Sequence, residues 1–308
     1  MQTSITRKKR KKSAGVFLRL LLLAAFLLPV VSPSASAEGT GLEDIALQEV
    51  GHWTCRFDGV AHDFIVDLPE NPEGAPLVLM LHGYGQTAES FRLATGFEKD
   101  AVPEGYAVVY VTGAPNPNDR TSSTCWNSGY VDSPNRDVEF LTALSAYLQQ
   151  EYGLDSSRTF AAGFSNGAFM THRLALEAND IFSAVVSVAG MMPEGVWNAR
   201  PAECRVGLLQ ITGEKDEVVP KNSDGSARYS KAPAIEEVVE YYAAANGLTE
   251  EESLELGRAS LLTEYSGKDP GPQVWHLVVK NGHHSWSAEQ FTGINTNRLI
   301  LQFLETLA

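Results

Sequence analysis

The stretch "AAGFSNGAF", residues 161–169, sets Ser165 between two glycines, Gly163 and Gly167, each two places away. A G-x-S-x-G pattern arises by chance in about one chain in ten of this length, so its meaning depends on what flanks it. Before it runs an apolar, β-rich segment, "RTFAAGF" (158–164), and after it a segment with helical spacing, "AFMTHRLALEAN" (168–179). A strand that turns sharply into a helix leaves little room for side chains beside the turn, and glycines at 163 and 167 supply that room. Such a turn lifts a serine hydroxyl clear of the sheet. It also leaves the amide of Asn166 at a helix N-terminus, where it can donate to a developing oxyanion.

The surrounding chain repeats the same alternation. Short apolar runs recur as "HDFIVDLP", "PLVLMLHG", "YAVVYVTG", "SAVVSVAG", "VGLLQITG" and "VWHLVVKN", and segments such as "DVEFLTALSAYLQQEY", "AIEEVVEYYAAAN" and "TNRLILQFLETL" have helical spacing. Consecutive apolar positions suit strands covered on both faces. The pattern predicts an α/β protein with a mostly parallel central sheet and helices on both faces. In such a sheet reacting groups collect beyond the carboxyl ends of the strands, where "LHGYGQ", "GFSNG", "TGEKDEVVP" and "KNGHHSW" all fall.

A serine hydroxyl at its ordinary pKa is a weak nucleophile and needs a base. Asp216 follows the strand "GLLQITG" and a histidine pair follows "VWHLVVKN", giving the order Ser, Asp, His of an α/β-hydrolase. Asp216 lies in a charged turn, but its place after the strand ranks it above Glu214 and Glu217. His283 and His284 are neighbours that cannot both point inward from an extended chain. On the "LHGYGQ" turn, the Tyr84 amide is the donor that complements Asn166, and His82 reads as a residue that organises the loop. His276 falls in a strand run and His172 in a helix, which suits packing. His52 and His62 carry no catalytic signal. No second pair of ligands stands at zinc-site spacing, so neither metal nor cofactor is expected.

Residues 1–37 carry a basic start, the apolar run Leu20 to Val31 and small residues at Ala35 and Ala37. This order predicts a cleaved secretory signal peptide, leaving 38–308 as a single catalytic domain. The apolar run is too short for a membrane span, which needs roughly 20 residues, so no stable membrane insertion is expected after cleavage. Removing the seven Lys and Arg of this segment takes the formal charge from −14 to −21, and so acidic a chain repels nucleic acid. Cys55, Cys125 and Cys204 allow at most one intramolecular disulfide.

Taken together, "LHGYGQTA", "CWN" (125–127), "RDVEFL", "AAGFSNGAFM", "GEKDEVVP", "EYYAAANG" and "GHHSW" resemble the secreted polyhydroxybutyrate depolymerase-type esterases, a family shared with feruloyl and acetyl xylan esterases. The resemblance spans nearly all of residues 38–308. It places the nucleophile on Ser165, the acid on Asp216 and, through a histidine two places before a tryptophan, the base on His284. Trp126 and Trp286, flat side chains on these loops, are candidate walls of an acyl or aromatic pocket, with core packing as the equal alternative. "NGHHSWS" departs from the family's Gly-Gly-His-x-Trp-Pro by an extra histidine and a missing proline. The segment "VPKNSDGSARYSKAPA" (219–234) reads as a polar flap. The function implied is a secreted serine carboxylesterase acting on small or polysaccharide-linked esters, of feruloyl or acetyl type, or on short hydroxyalkanoate esters. The alternatives are a serine peptidase or acyltransferase on the same fold, or a carbohydrate- or wall-binding homologue without turnover.

Overall fold

A computed structural model describes residues 39–131, 133–221, 231–267 and 271–307. The signal segment and most of the expected flap, 222–230, lie outside the described residues. In chain order the strands are β1 (Leu42–Glu49), β2 (His52–Phe57), β3 (Val60–Asp67), β4 (Leu77–Leu81), β5 (Ala107–Val111), β6 (Thr159–Phe164), β7 (Ala184–Val188), β8 (Gly207–Gly213), β9 (Glu250–Leu256), β10 (Ser260–Ser266) and β11 (Val274–Val279). The helices are α1 (Ala88–Thr95), α2 (Phe97–Ala101), α3 (Asp137–Tyr152), α4 (Asn166–Glu177), α5 (Glu194–Asn198), α6 (Ile235–Ala245), α7 (Glu289–Thr292) and α8 (Thr296–Glu305).

One sheet holds the strands in the order β1-β2-β3-β5-β4-β6-β7-β8-β11-β10-β9. The six central strands, β5 to β11 in that order, run parallel. The expectation of a mostly parallel sheet is corrected at both flanks, where β1, β2 and β3 on one side and β10 and β9 on the other pair antiparallel. These flanking strands are joined by short turns and need no helix to cross over.

The central strands are apolar throughout because both their faces are covered. Leu77, Leu79 and Leu81 of β4 join one core layer with residues of α3, α4 and α6. Val78 and Met80 of the same strand join the opposite layer with α1, α2 and α8. All five are fully buried, and each such side chain contributes about 1.5–3 kcal/mol by leaving water. The two layers hold the carboxyl ends of β4, β6, β8 and β11 in fixed register. The loops that follow those ends therefore start from defined points. Cys55, Cys125 and Cys204 are buried and unpaired.

Candidate active site

Ser165 closes β6 and opens α4. Its φ of 53° and ψ of −116° are unusual for a residue with a side chain. Backbone of this kind costs on the order of 1–3 kcal/mol and persists only where the surroundings enforce it. Here the Ser165 amide donates to Val188 O at 3.0 Å and its carbonyl accepts from the Phe169 amide at 3.0 Å. A Cβ on Gly163 would collide with the Gly167 backbone, and one on Gly167 with the Leu81 carbonyl. Helix α4 thus begins directly against the end of β4, an approach only glycine permits. Ser165 sits in the N-cap place, yet its hydroxyl makes no capping hydrogen bond, which leaves it free for other chemistry.

The acid and base loops converge from β8 and β11. The His284 ring donates Nδ1–H to Asp216 Oδ2 at 2.8 Å, while the other carboxylate oxygen accepts from the amides of Val218 and Val219 at 2.9 and 2.8 Å. The Asp216 side chain has no solvent exposure, so its charge rests on these three donors. Holding Nδ1–H leaves Nε2 as the free lone pair of the imidazole. His283 is exposed. The two loops are also tied through their backbones, with the Lys215 amide on Gly282 O at 2.7 Å and the Glu214 amide on Val279 O at 3.0 Å. The Glu214 carboxylate adds a bond to the Asn281 amide at 3.0 Å and an ion pair to Lys280 at 2.7 Å. Glu214 thus braces the histidine loop, a role its place in a charged turn does not announce. The His284 ring lies 4.9 Å, centroid to centroid, from Phe164, the residue before the serine. The Ser165 hydroxyl itself is not hydrogen-bonded to His284 in this structure.

The turn Gly83–Gln86 also approaches Ser165, so that a Cβ on Gly83 would lie 3.5 Å from the serine Cβ, and it is closed by the Gln86 amide on Gly83 O at 3.1 Å. Neither the Tyr84 nor the Asn166 amide finds an acceptor among the described residues. The Tyr84 side chain leads away, with its ring 46% exposed and its hydroxyl bonded to Asp119. His82 is fully buried behind the turn, donating Nδ1–H to Gly83 O at 2.7 Å and accepting at Nε2 from the Gly113 amide at 2.9 Å. Burial pushes its pKa down to about 4, so the neutral ring that these two bonds require persists across ordinary pH.

Trp126 corrects an expectation. It has no exposure, and its indole donates to His82 O at 2.9 Å. It supports the Tyr84 turn from behind and cannot line a substrate pocket. Trp286 is half-buried, stacked edge-on to Phe91 at 5.5 Å and bonded through its indole nitrogen to Asn297 at 2.9 Å. Those contacts anchor the histidine loop to α1 and α8. Of the other histidines, His172 and His276 are buried and His62 stacks on Phe140 at 3.6 Å.

The loop carrying "CWN" is gripped by side chains from two helices. The Asn166 carboxamide accepts from the Trp126 amide at 2.7 Å and donates to its carbonyl at 3.2 Å and to Ser128 Oγ at 3.0 Å. Asp137 accepts the Asn127 amide at 2.6 Å, and Arg173 donates to the Asn127 carbonyl at 2.5 Å. None of these three roles follows from residue type alone, although "RDVEFL" and "CWN" contain two of the partners.

A family model described as Phospholipase/Carboxylesterase matches residues 61–239. That span holds Tyr84, Ser165, Asn166 and Asp216 and ends before His284. NocK of Nocardia uniformis subsp. tsuyamanensis, a presumed esterase by its name, is 29% identical over 247 residues, covering 72% of this chain and 69% of its own. The bifunctional acetylxylan esterase/xylanase XynS20E of Neocallimastix patriciarum is 26% identical over 165 residues, covering 53% of this chain and 23% of its own. The chain thus spans about two thirds of the first relative and under a quarter of the second. Among solved structures, an acetyl xylan esterase from Aspergillus awamori superposes with a TM-score of 0.57 over 80% of this chain and 94% of that one. At 13% identity this likeness speaks to the fold.

Proposed function

The chain belongs to the phospholipase/carboxylesterase family and is an ester hydrolase of the α/β-hydrolase type; from that premise we propose that it is a secreted serine carboxylesterase. Its substrates in this reading are small or polysaccharide-linked esters of acetyl or feruloyl kind, or short hydroxyalkanoate esters, cut through an acyl-enzyme. The observation that supports the reading most is the 2.8 Å contact between Asp216 and His284, whose ring lies 4.9 Å from that of Phe164, the neighbour of a serine held in a strained turn. Secretion rests on the order of basic, apolar and small residues in 1–37.

In the first step Ser165 Oγ bonds to the ester carbonyl carbon and its proton passes to His284 Nε2. Asp216 holds the tautomer and stabilises the imidazolium. The carbonyl oxygen becomes an oxyanion that accepts from the Tyr84 and Asn166 amides. Collapse breaks the bond to the alcohol, which leaves with the proton from Nε2, and water repeats the sequence to release the acid. The hydrogen bond between Ser165 and His284 forms with substrate bound, as such contacts commonly tighten only in the complex.

Ser165→Ala is expected to abolish hydrolysis of p-nitrophenyl acetate while leaving the circular dichroism spectrum and melting transition unchanged. Wild-type turnover surviving in that variant would refute the assignment. Comparing methyl ferulate, acetylated xylan and short hydroxybutyrate oligomers then ranks the substrate classes.

A further inference from the structure

We propose that Asp137 is a positioning residue for the oxyanion turn, acting through the "CWN" loop; this rests on the reading of the Tyr84 amide as an oxyanion donor. Asp137 is the first residue of α3 and is 1% exposed. Its Oδ2 accepts the Asn127 amide at 2.6 Å, and its Oδ1 is buried with no hydrogen-bond partner. Burying a carboxylate with half its acceptor capacity unused is unfavourable. Burial accordingly pushes its pKa up to about 6, against the opposing pull of the Asn127 amide and of Arg173. A chain that only needed a helix start has many neutral residues to choose from. The acceptor oxygen makes sense through the Asn127 amide that it holds.

What it holds leads to the proposed site without a break. Asn127 is pinned at its amide by Asp137 and at its carbonyl by Arg173, a residue of the same helix that Ser165 opens. The preceding residue, Trp126, is bracketed by the Asn166 carboxamide. Its indole donates to His82 O, His82 donates to Gly83 O, and the Gly85 amide donates to Thr124 O at 2.8 Å. The Tyr84 amide lies inside that last loop of bonds. Its distance from the Asn166 amide is therefore governed by how firmly the loop sits between α3 and α4. Asp137 supplies the α3 side of that grip.

The test uses the full chain and p-nitrophenyl acetate. Asp137→Ala removes the acceptor and should lower kcat by roughly 10- to 100-fold, the scale of a catalytic group displaced by about 1 Å, with KM within about twofold. Asp137→Asn keeps an acceptor for the Asn127 amide and should stay within about threefold of wild type, because it restores the bond that matters in this account. Arg173→Met releases the same peptide from its other side. It serves if Asp137→Ala does not fold, and it should reproduce the kcat loss with little change in KM. A folded Asp137→Ala or Arg173→Met protein with kcat within about twofold of wild type would overturn the proposal, as would equal losses in Asp137→Ala and Asp137→Asn. A wild-type protein that turns over no ester overturns the esterase reading and this inference together. An active wild type with undiminished variants overturns only the inference.

Discussion

The side chain of His283 is exposed, whereas that of His284, next along the chain, donates to a carboxylate that has no solvent contact of its own. Replacing His284 by Ala is expected to lower kcat by about a thousandfold or more, the usual effect of losing a base that acts as a unit with its serine. Replacing His283 should change kcat less than about twofold, and a comparable loss from both would remove the distinction. At Asp137 an effect on stability is expected beside the one on kcat. Its raised pKa means that the folded chain holds the proton more tightly than the unfolded one, so stability is greatest with the carboxyl protonated and is lost as pH rises through about 6. Asp137→Asn should therefore melt higher than wild type at pH 8 and much the same at pH 4. The contact between Asp216 and His284 was legible because both loops follow parallel strands, and the choice of His284 over His283 came from the family resemblance. Trp126 was not legible, because residue type does not tell which side of a loop faces the protein, and its indole faces the His82 carbonyl.

Among the elements, the seven apolar runs correspond to β3 to β8 and β11. They are legible because helices cover both sides of the central strands and leave nearly every position apolar. The strands β1 and β9 escape such a reading. "LEDIALQE" and "EEESLEL" are mostly exposed edge strands, and exposure lets charged residues erase the apolar signal. Acidic side chains along β9 also discourage a further strand from adding to that edge. The loop after β8 shows how an element places chemistry. A Cβ on Gly213 would come within 2.6 Å of the carbonyl oxygens of Gly282 and His283, so a larger residue must push the acid and base loops apart. Gly213→Val is expected to cost about 1–3 kcal/mol in stability and to reduce kcat well beyond what the lost stability explains. Activity measured well below the melting transition separates the two, and wild-type kcat there would show that the loops tolerate the displacement.

For the whole molecule, burial has gathered four neutral histidines, His62, His82, His172 and His276, each pushed down to about 4 by desolvation. An unfolded histidine titrates near 6.5. Each group therefore contributes stability that is fully present above about 6.5 and is lost as pH falls toward 4, because the unfolded chain binds the proton first. Unfolding near pH 5 takes up as many as four protons, a slope of up to roughly 5 kcal/mol per pH unit. Asp137 opposes this trend with one group. Urea midpoints are expected to drop sharply between pH 6.5 and 4.5, and a flat profile over that interval would contradict the buried, neutral state of these rings.

Three thiols lie inside the protein, one on β2, one beside Trp126 and one ahead of β8, and none is cross-linked. Burial pushes Cys55 up to about 12 and Cys125 up to about 11, so the reactive thiolate is scarce as well as shielded. Reductant should leave the melting temperature untouched. Alkylating reagents should modify each sulfur only as fast as its surroundings open, which turns the three into native reporters of where the chain first comes apart.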